Sequence, residues 1–252
     1  IWSTPDHDIG KFPARALVRF MRNHGLLTRG EHHQWWTVDG GSIRYVERLT
    51  AALVRAGVDL RTGTAVRAVT RTGGIVTLSA EGAQAEVFDH VILAAHADQT
   101  LAMLTDANAT ERAALSSIRF QPNHAVLHAD PSVMPHRRRC WSSWVSRGDT
   151  GLASVGVTYW MNRLQNIPDD DPLFVTLNQR DGIDPRLIYD QVTFRHPVFD
   201  LAALDAQARI AEMQGNRNTW FAGAWLRNGF HEDGFASAMR IARRLLPASV
   251  LP

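Results

Sequence analysis

His231, Glu232 and Asp233 form the densest titratable cluster in the chain, set between Gly229 and Gly234. A histidine beside two carboxylates can hold or pass a proton near neutral pH, which makes His231 and Glu232 the candidate catalytic pair. The same acids also suit the first turn of a helix for purely structural reasons, because they face its positive end. Both readings stay open at the level of sequence. The cluster lies within Thr219 to Leu246, which reads as a short buried strand (Thr219 to Ala222), a glycine-punctuated loop, and an amphipathic helix opening near Gly234. A strand that feeds a helix N-terminus through glycines presents backbone N–H groups with no intrahelical partner, an arrangement suited to an anionic or electron-rich ligand. A glycine-rich turn can equally be nothing more than tight packing.

Other chemistry-bearing residues are weaker. His32, His33, His124 and His128 invite a metal reading, but His124 and His128 fall in a strand-like stretch and no flanking acid completes a ligand set. Structural histidines are expected, and no metal. Cys140 is the only cysteine, which excludes an internal disulfide framework and a cysteine-based zinc site. The run His136-Arg137-Arg138-Arg139 reads as a solvated loop rather than a phosphate patch, since it stands alone without interleaved aromatics. Trp141, Trp144, Tyr159 and Trp160 lie on adjacent predicted strands. They can wall an apolar cavity or simply form core.

The elements that must position these residues follow from periodicity. Lys11 to Leu27 has helical spacing, with Pro13 in its first turn and Gly25 at its stop. Trp35 to Val38 is strand-like and ends in Gly40-Gly41, after which Ser42 is expected to cap a helix with Ile43, Val46, Leu49 and Leu53 on one face. Strands are expected at Val58 to Leu60, Ala65 to Thr70, Ile75 to Ser79 and Val87 to Ala95, with a Gly73-Gly74 hairpin. Ala97 to Leu104 and Thr110 to Ser116 read as short helices. Strands at Ala125 to Ala129, Trp141 to Ser146, Ser154 to Trp160, Leu173 to Leu177 and Tyr189 to Arg195 suggest a mostly antiparallel sheet. Leu201 to Met213 is a helix leading back to the strand at Thr219.

Several blocks resemble, in order, the middle of the FAD-dependent amine oxidoreductase superfamily. They are Val38-Asp39-Gly40-Gly41-Ser42 with its helix, Gly57 to Val69, and Asp89 to Ala97. Asn23-His24-Gly25-Leu26-Leu27, Thr158-Tyr159-Trp160-Met161-Asn162, His196-Pro197-Val198-Phe199-Asp200 and Gly229 to Gly234 are similar to a bacterial subgroup of predicted NAD/FAD-binding proteins. This second likeness runs nearly end to end. The resemblance implies an α/β (mixed α+β) fold, in which an FAD/NAD(P)-binding-type portion is interleaved with a mostly antiparallel substrate domain. The implied layout is a helical part of the substrate domain (1–37), an FAD-binding portion (38–105), the substrate domain proper (106–214) and a C-terminal strand–loop–helix (215–252). It further implies FAD contacts at Gly40, Gly41, Val66, Gly223, Ala224, Asp233, Gly234, Phe235 and Ala236, with the amides of Gly234, Phe235 and Ala236 at the cofactor.

Three departures accompany the likeness. Ala224 and Trp225 stand where an acid usually follows the glycine, leaving Glu232 or Asp233 to take over that contact. The only lysine, Lys11, is far from the segments that would hold a water near the flavin. No Gly-x-Gly-x-x-Gly occurs, so the chain starting at Ile1 reads as part of a longer polypeptide, and expressed alone it is expected to be colourless or nearly so.

Composition sets the outer limits. At 252 residues and 45% hydrophobic, the chain can bury a substantial core. Its +2 formal charge, carried almost wholly by arginine, fits codon bias in a GC-rich bacterial genome rather than nucleic-acid binding. No apolar run approaches the ~20 residues of a membrane span and no signal layout is visible, so a cytoplasmic protein is expected. Peripheral membrane contact and oligomeric state are left open. The implied activity is hydride transfer from a substrate C–H to FAD, on a small and apolar or lipid-like substrate. The alternative is a non-catalytic substrate-domain fragment that needs a dinucleotide-binding half.

Overall fold

The computed structural model describes residues 10, 12–27, 34, 36–147, 156–179, 182–247 and 249. Lys11, His32, His33, Trp35 and the beginning of the strand expected from Ser154 lie outside them. The fold is mixed α/β and divides into two units, one of residues 1–10, 21–60 and 121–196, the other of 11–20, 61–120 and 197–252.

In the second unit, β1 (Val66–Thr72) and β2 (Ile75–Ala80) pair antiparallel across the Gly73-Gly74 turn, and β3 (Glu86–Phe88) adds to β2. β4 (Val91–Leu93) pairs in parallel with β10 (Thr219–Phe221), placing Val91 opposite Thr219 and Leu93 opposite Phe221. Around these strands lie α1 (Ala14–Asn23), α3 (Ala97–Met103), α4 (Ala109–Ser116), α6 (Leu201–Met213) and α7 (His231–Leu245), α1 running across the boundary between the units. Val69, Val76, Leu93, Leu115, Ile210 and Phe221 form one contiguous core with Trp225. Each large side chain buried there stabilises the fold by about 1.5–3 kcal/mol.

Two helix starts follow directly from side-chain chemistry. At α4, Asn108 accepts from the Glu111 amide and Glu111 accepts from the Asn108 amide, a reciprocal capping box. At α6, Asp200 accepts from the Ala203 amide. Glu111 does more than cap. Its carboxylate takes two hydrogen bonds from the buried Arg71 guanidinium, which also donates to Asp106. Burial alone works against charge at Arg71 and Asp106, but hydrogen bonding wins, at Arg71 through Glu111 and then Asp106, and at Asp106 through Arg71. The Arg71 pKa is held above its ordinary value and that of Asp106 below.

The first unit is built on a five-stranded sheet in the order β6-β7-β8-β5-β9. These strands are β5 (Phe120–His128), β6 (Trp144–Arg147), β7 (Gly156–Trp160), β8 (Phe174–Leu177) and β9 (Ile188–Pro197), with the short helix α5 (Met161–Gln165) between β7 and β8. The neighbours β6–β7, β7–β8 and β8–β5 are antiparallel. Helix α2 (Ser42–Arg55) also belongs to this unit, and none of its residues is buried.

Four sequence expectations require correction. The stretch expected as one strand from Val87 to Ala95 is divided: β3 joins the antiparallel sheet and β4 the parallel pair, with a break at Asp89-His90. Trp36–Val38 and Val58–Leu60 form no strand. Ser42 does not cap α2, because Gly41 occupies that position with φ +83° and Ser42 is already helical.

Candidate functional site

The carboxyl ends of two parallel strands mark the place where α/β folds hold ligands. Here β4 and β10 end side by side, with the Ala222 amide donating to Leu93 O at 3.0 Å. The chain then turns sharply at Gly223, whose φ of +149° and ψ of +156° fall in a region open essentially to glycine alone. Behind it Trp225 is buried, and its indole N–H donates to Ala95 O at 3.1 Å just beyond β4. The turn is tied forward as well. The Gly223 amide donates to Ser237 Oγ at 2.9 Å, and that hydroxyl donates to Gly234 O at 2.6 Å.

Helix α7 opens at His231, three residues before the expected start. His231, Glu232 and Asp233 are therefore its first turn, not a preceding loop. The amides of Asp233 and Gly234 already donate to Phe230 O, at 3.0 and 3.3 Å. The leading amides of the helix are thus those of His231 and Glu232, while Phe235 and Ala236 lie further along it. The helix's positive end, about half a unit charge, faces this same turn.

The acidic pair divides by burial. Asp233 is buried, and its Oδ2 accepts from the amides of Asn228 (3.2 Å) and Phe230 (3.1 Å). Arg227 Nε stands 3.6 Å from its other oxygen. His231 and Glu232 are exposed. Gly223, Ala224 and Gly234 thus come together around one turn, where a Cβ on Gly234 would sit 3.7 Å from the Ala224 amide nitrogen, while Asp233 closes the loop before it and Phe235 and Ala236 follow along the helix. Phe235 projects to solvent and Phe230 stacks on Phe20 with ring centroids 5.2 Å apart. Val66, at the start of β1, packs against the core that includes Trp225. Gly40 and Gly41 belong to the other unit, where both have positive φ and the Gly41 amide donates to Val38 O.

Trp225 and Ser237 are the residues that sequence reasoning missed. Ser237 had a legible signal, a small hydroxyl in mid-helix three residues after Gly234, able to bond back to that carbonyl.

The aromatics of the sheet separate by strand parity. Trp160 pairs with Phe174, and both join Trp141 in a core cluster with edge-to-face rings 5.1–5.8 Å apart. Trp144 and Tyr159 are directly paired across β6 and β7, on the opposite face. Trp144 is 56% exposed, whereas burial raises the pKa of the Tyr159 phenol. The histidines of β5 are held by hydroxyls and amides. His128 Nε2 lies 2.7 Å from Thr176 Oγ1, and His124 contacts Gln191 and Thr193. Among the described residues no three His, Cys, Asp or Glu side chains gather to hold a metal, and no helix is long and apolar enough to cross a membrane. In the arginine run, Arg138 lies 4.7 Å over the Trp141 ring and pairs with Asp169.

Residues 16–173, more than half of the chain, match the model of the flavin-containing amine oxidoreductases. The chain belongs to that family. No curated protein matches it. Among solved structures, a fatty acid isomerase from P. acnes that produces CLA is 16% identical with a TM-score of 0.59, over 82% of this chain and 52% of that one. A protein from Exiguobacterium sp. 255-15 assigned as a protoporphyrinogen oxidase is 17% identical with a TM-score of 0.60, over 92% and 57%. Reduced UDP-galactopyranose mutase is 12% identical with a TM-score of 0.58, over 82% and 52%. The amine oxidoreductase chain therefore spans little more than half the length of these neighbours, and the likeness is one of fold.

The residues present fit one end of a flavin. A glycine-only turn, the carboxyl ends of two parallel strands and a helix N-terminus together make a positively polarised, closely approachable surface. Ala224 brings no acid to this turn, and Asp233 is engaged by backbone amides.

Proposed function

We propose that this chain supplies the ring-proximal part of the FAD site, and the substrate-facing sheet, of an oxidoreductase that removes hydride from a substrate C–H. When bound, FAD supplies the electron-pair acceptor at its N5. The chain's residues bind and orient. The turn at Gly223-Ala224 offers backbone at close range, and the first turn of α7 places its dipole where negative charge develops. His231 at its imidazole and Glu232 at its carboxylate, both exposed, exchange with solvent the proton released alongside the hydride. Trp144 and Tyr159, with Val157, Val175 and Leu177 on the same face of the sheet, favour an apolar substrate.

The observation that carries this reading is the meeting of β4, β10 and the first turn of α7 at a residue that only glycine can occupy. It is tested by expressing the protein in its complete reading frame. Stoichiometric yellow flavin is expected, with loss of colour but retained fold for Gly234→Val at the turn. A colourless protein would overturn it. A second reading, a fragment inactive without a dinucleotide-binding half, is favoured by the missing Gly-x-Gly-x-x-Gly. It predicts that residues 1–252 alone bind no FAD.

A further inference from the structure

Along the second half of α7, well past its first turn, a cavity of about 140 Å³ opens between α6, α7 and β10. That is the size of a space able to hold one benzene ring. Ala211, Trp220, Phe221, Leu226 and Ile241 line much of it, and no aspartate or glutamate does.

Its polar groups are unbalanced. Gln214 is spent on β10, its Nε2 donating to Phe221 O and its Oε1 accepting from the Phe221 amide. Gln207 Nε2 is spent on the carbonyls of Trp225 and Arg227. Ser237 is committed to Gly223 and Gly234. Three sets of donors remain. Arg240 and Arg244, one turn apart on α7, line the cavity and make no ion pair among the described residues. Two like charges at this spacing repel when nothing lies between them. The Trp220 side chain is 5% exposed, and its indole N–H is buried without a hydrogen-bond partner. Such an unmade bond is a standing cost to the fold that a ligand acceptor would relieve. The Arg244 guanidinium stands 5.0 Å over the Trp220 ring, so the cation and the indole share one wall.

The geometry points to a second ligand site, separate from the turn at Gly223, for a small carboxylate bearing a benzene-sized apolar group. The carboxylate lies between Arg240 and Arg244 and accepts from the Trp220 indole, while the apolar group occupies the space over Ala211, Phe221 and Ile241. This assignment does not rest on the proposed redox function, since none of these residues is given a part in it.

The test is calorimetric titration of the purified protein with benzoate, accompanied by tryptophan fluorescence. Saturable binding is expected, at least tenfold tighter than that of benzamide, which has the shape without the charge, or of inorganic phosphate, which has the charge without the ring. Arg240→Gln with Arg244→Gln should weaken benzoate at least tenfold and leave the thermal transition in place, because both side chains are exposed. Trp220→Phe keeps the ring, removes the N–H, and should weaken it several-fold. Absence of saturable benzoate binding, equal binding of benzamide, equal binding of phosphate, or indifference to the arginine pair would each overturn the proposal.

Discussion

Replacing Gly223 by alanine tests the turn on which the candidate site depends. At φ +149° and ψ +156° an alanine carries a backbone penalty of about 1–3 kcal/mol. Its Cβ would also come within 2.4 Å of Trp225 Nε1 and 2.7 Å of the neighbouring ring carbon. Trp225 is 4% exposed and packed in the main core, so the ring cannot step aside without losing its bond to Ala95 O, worth about 1 kcal/mol. The sum is about 2–4 kcal/mol, a large share of the roughly 5–15 kcal/mol that holds a typical domain folded. Gly82 provides the control. It too has positive φ (+71°), but a Cβ there meets nothing within 4 Å. Gly82→Ala should therefore cost only the left-handed backbone term, about 1–2 kcal/mol. Urea unfolding followed by tryptophan fluorescence measures both. If Gly223→Ala costs no more than Gly82→Ala, Trp225 does not press on the turn and the rigidity ascribed to the site is wrong.

Three further outcomes follow from the same structure. Glu111→Gln should lower stability by about 1–3 kcal/mol in denaturant titration, because it removes the more buried of the two carboxylates that pair with the Arg71 guanidinium and leaves Asp106 to balance it. Trp160→Ala should cost about 3–5 kcal/mol and Trp144→Ala under 1 kcal/mol in thermal or chemical unfolding, since only the former sits in the core cluster. His128 is pushed below its ordinary pKa of 6.5, chiefly by burial and against the pull of Asp130. The unfolded chain therefore binds the proton more readily, so the contribution of His128 is full above pH 6.5 and is lost as pH falls from 6.5 toward the folded value. His128→Gln should flatten the decline in stability between pH 6.5 and 5, and an unchanged slope would refute the assignment.

How much of this was legible follows from which signals are local. Leu201 to Met213 reads as a helix from its own spacing, and its observed bounds agree, because the Asp200 cap is adjacent in sequence. The Gly73-Gly74 hairpin is equally local. Parity within the sheet was partly legible: Trp141 and Trp160 could not be told from Trp144 and Tyr159 until the register of β6 on β7 was fixed, and register depends on pairing rather than on composition. The Val87 to Ala95 run failed for a related reason. Strand propensity announces pairing but not with what, and here the run's two ends pair in different sheets, β2 taking one and β10, more than a hundred residues away, the other. The site shows the same division. Glycines and acids marked where α7 begins, to within three residues. That Asp233 turns inward to close the loop while His231 and Glu232 face solvent is decided by the amides of Asn228 and Phe230, whose positions depend on the left-handed bend at Gly229 and the packing of Phe199 beside it. Two adjacent acids thus divide between structure and candidate chemistry according to one bend of the backbone that precedes them.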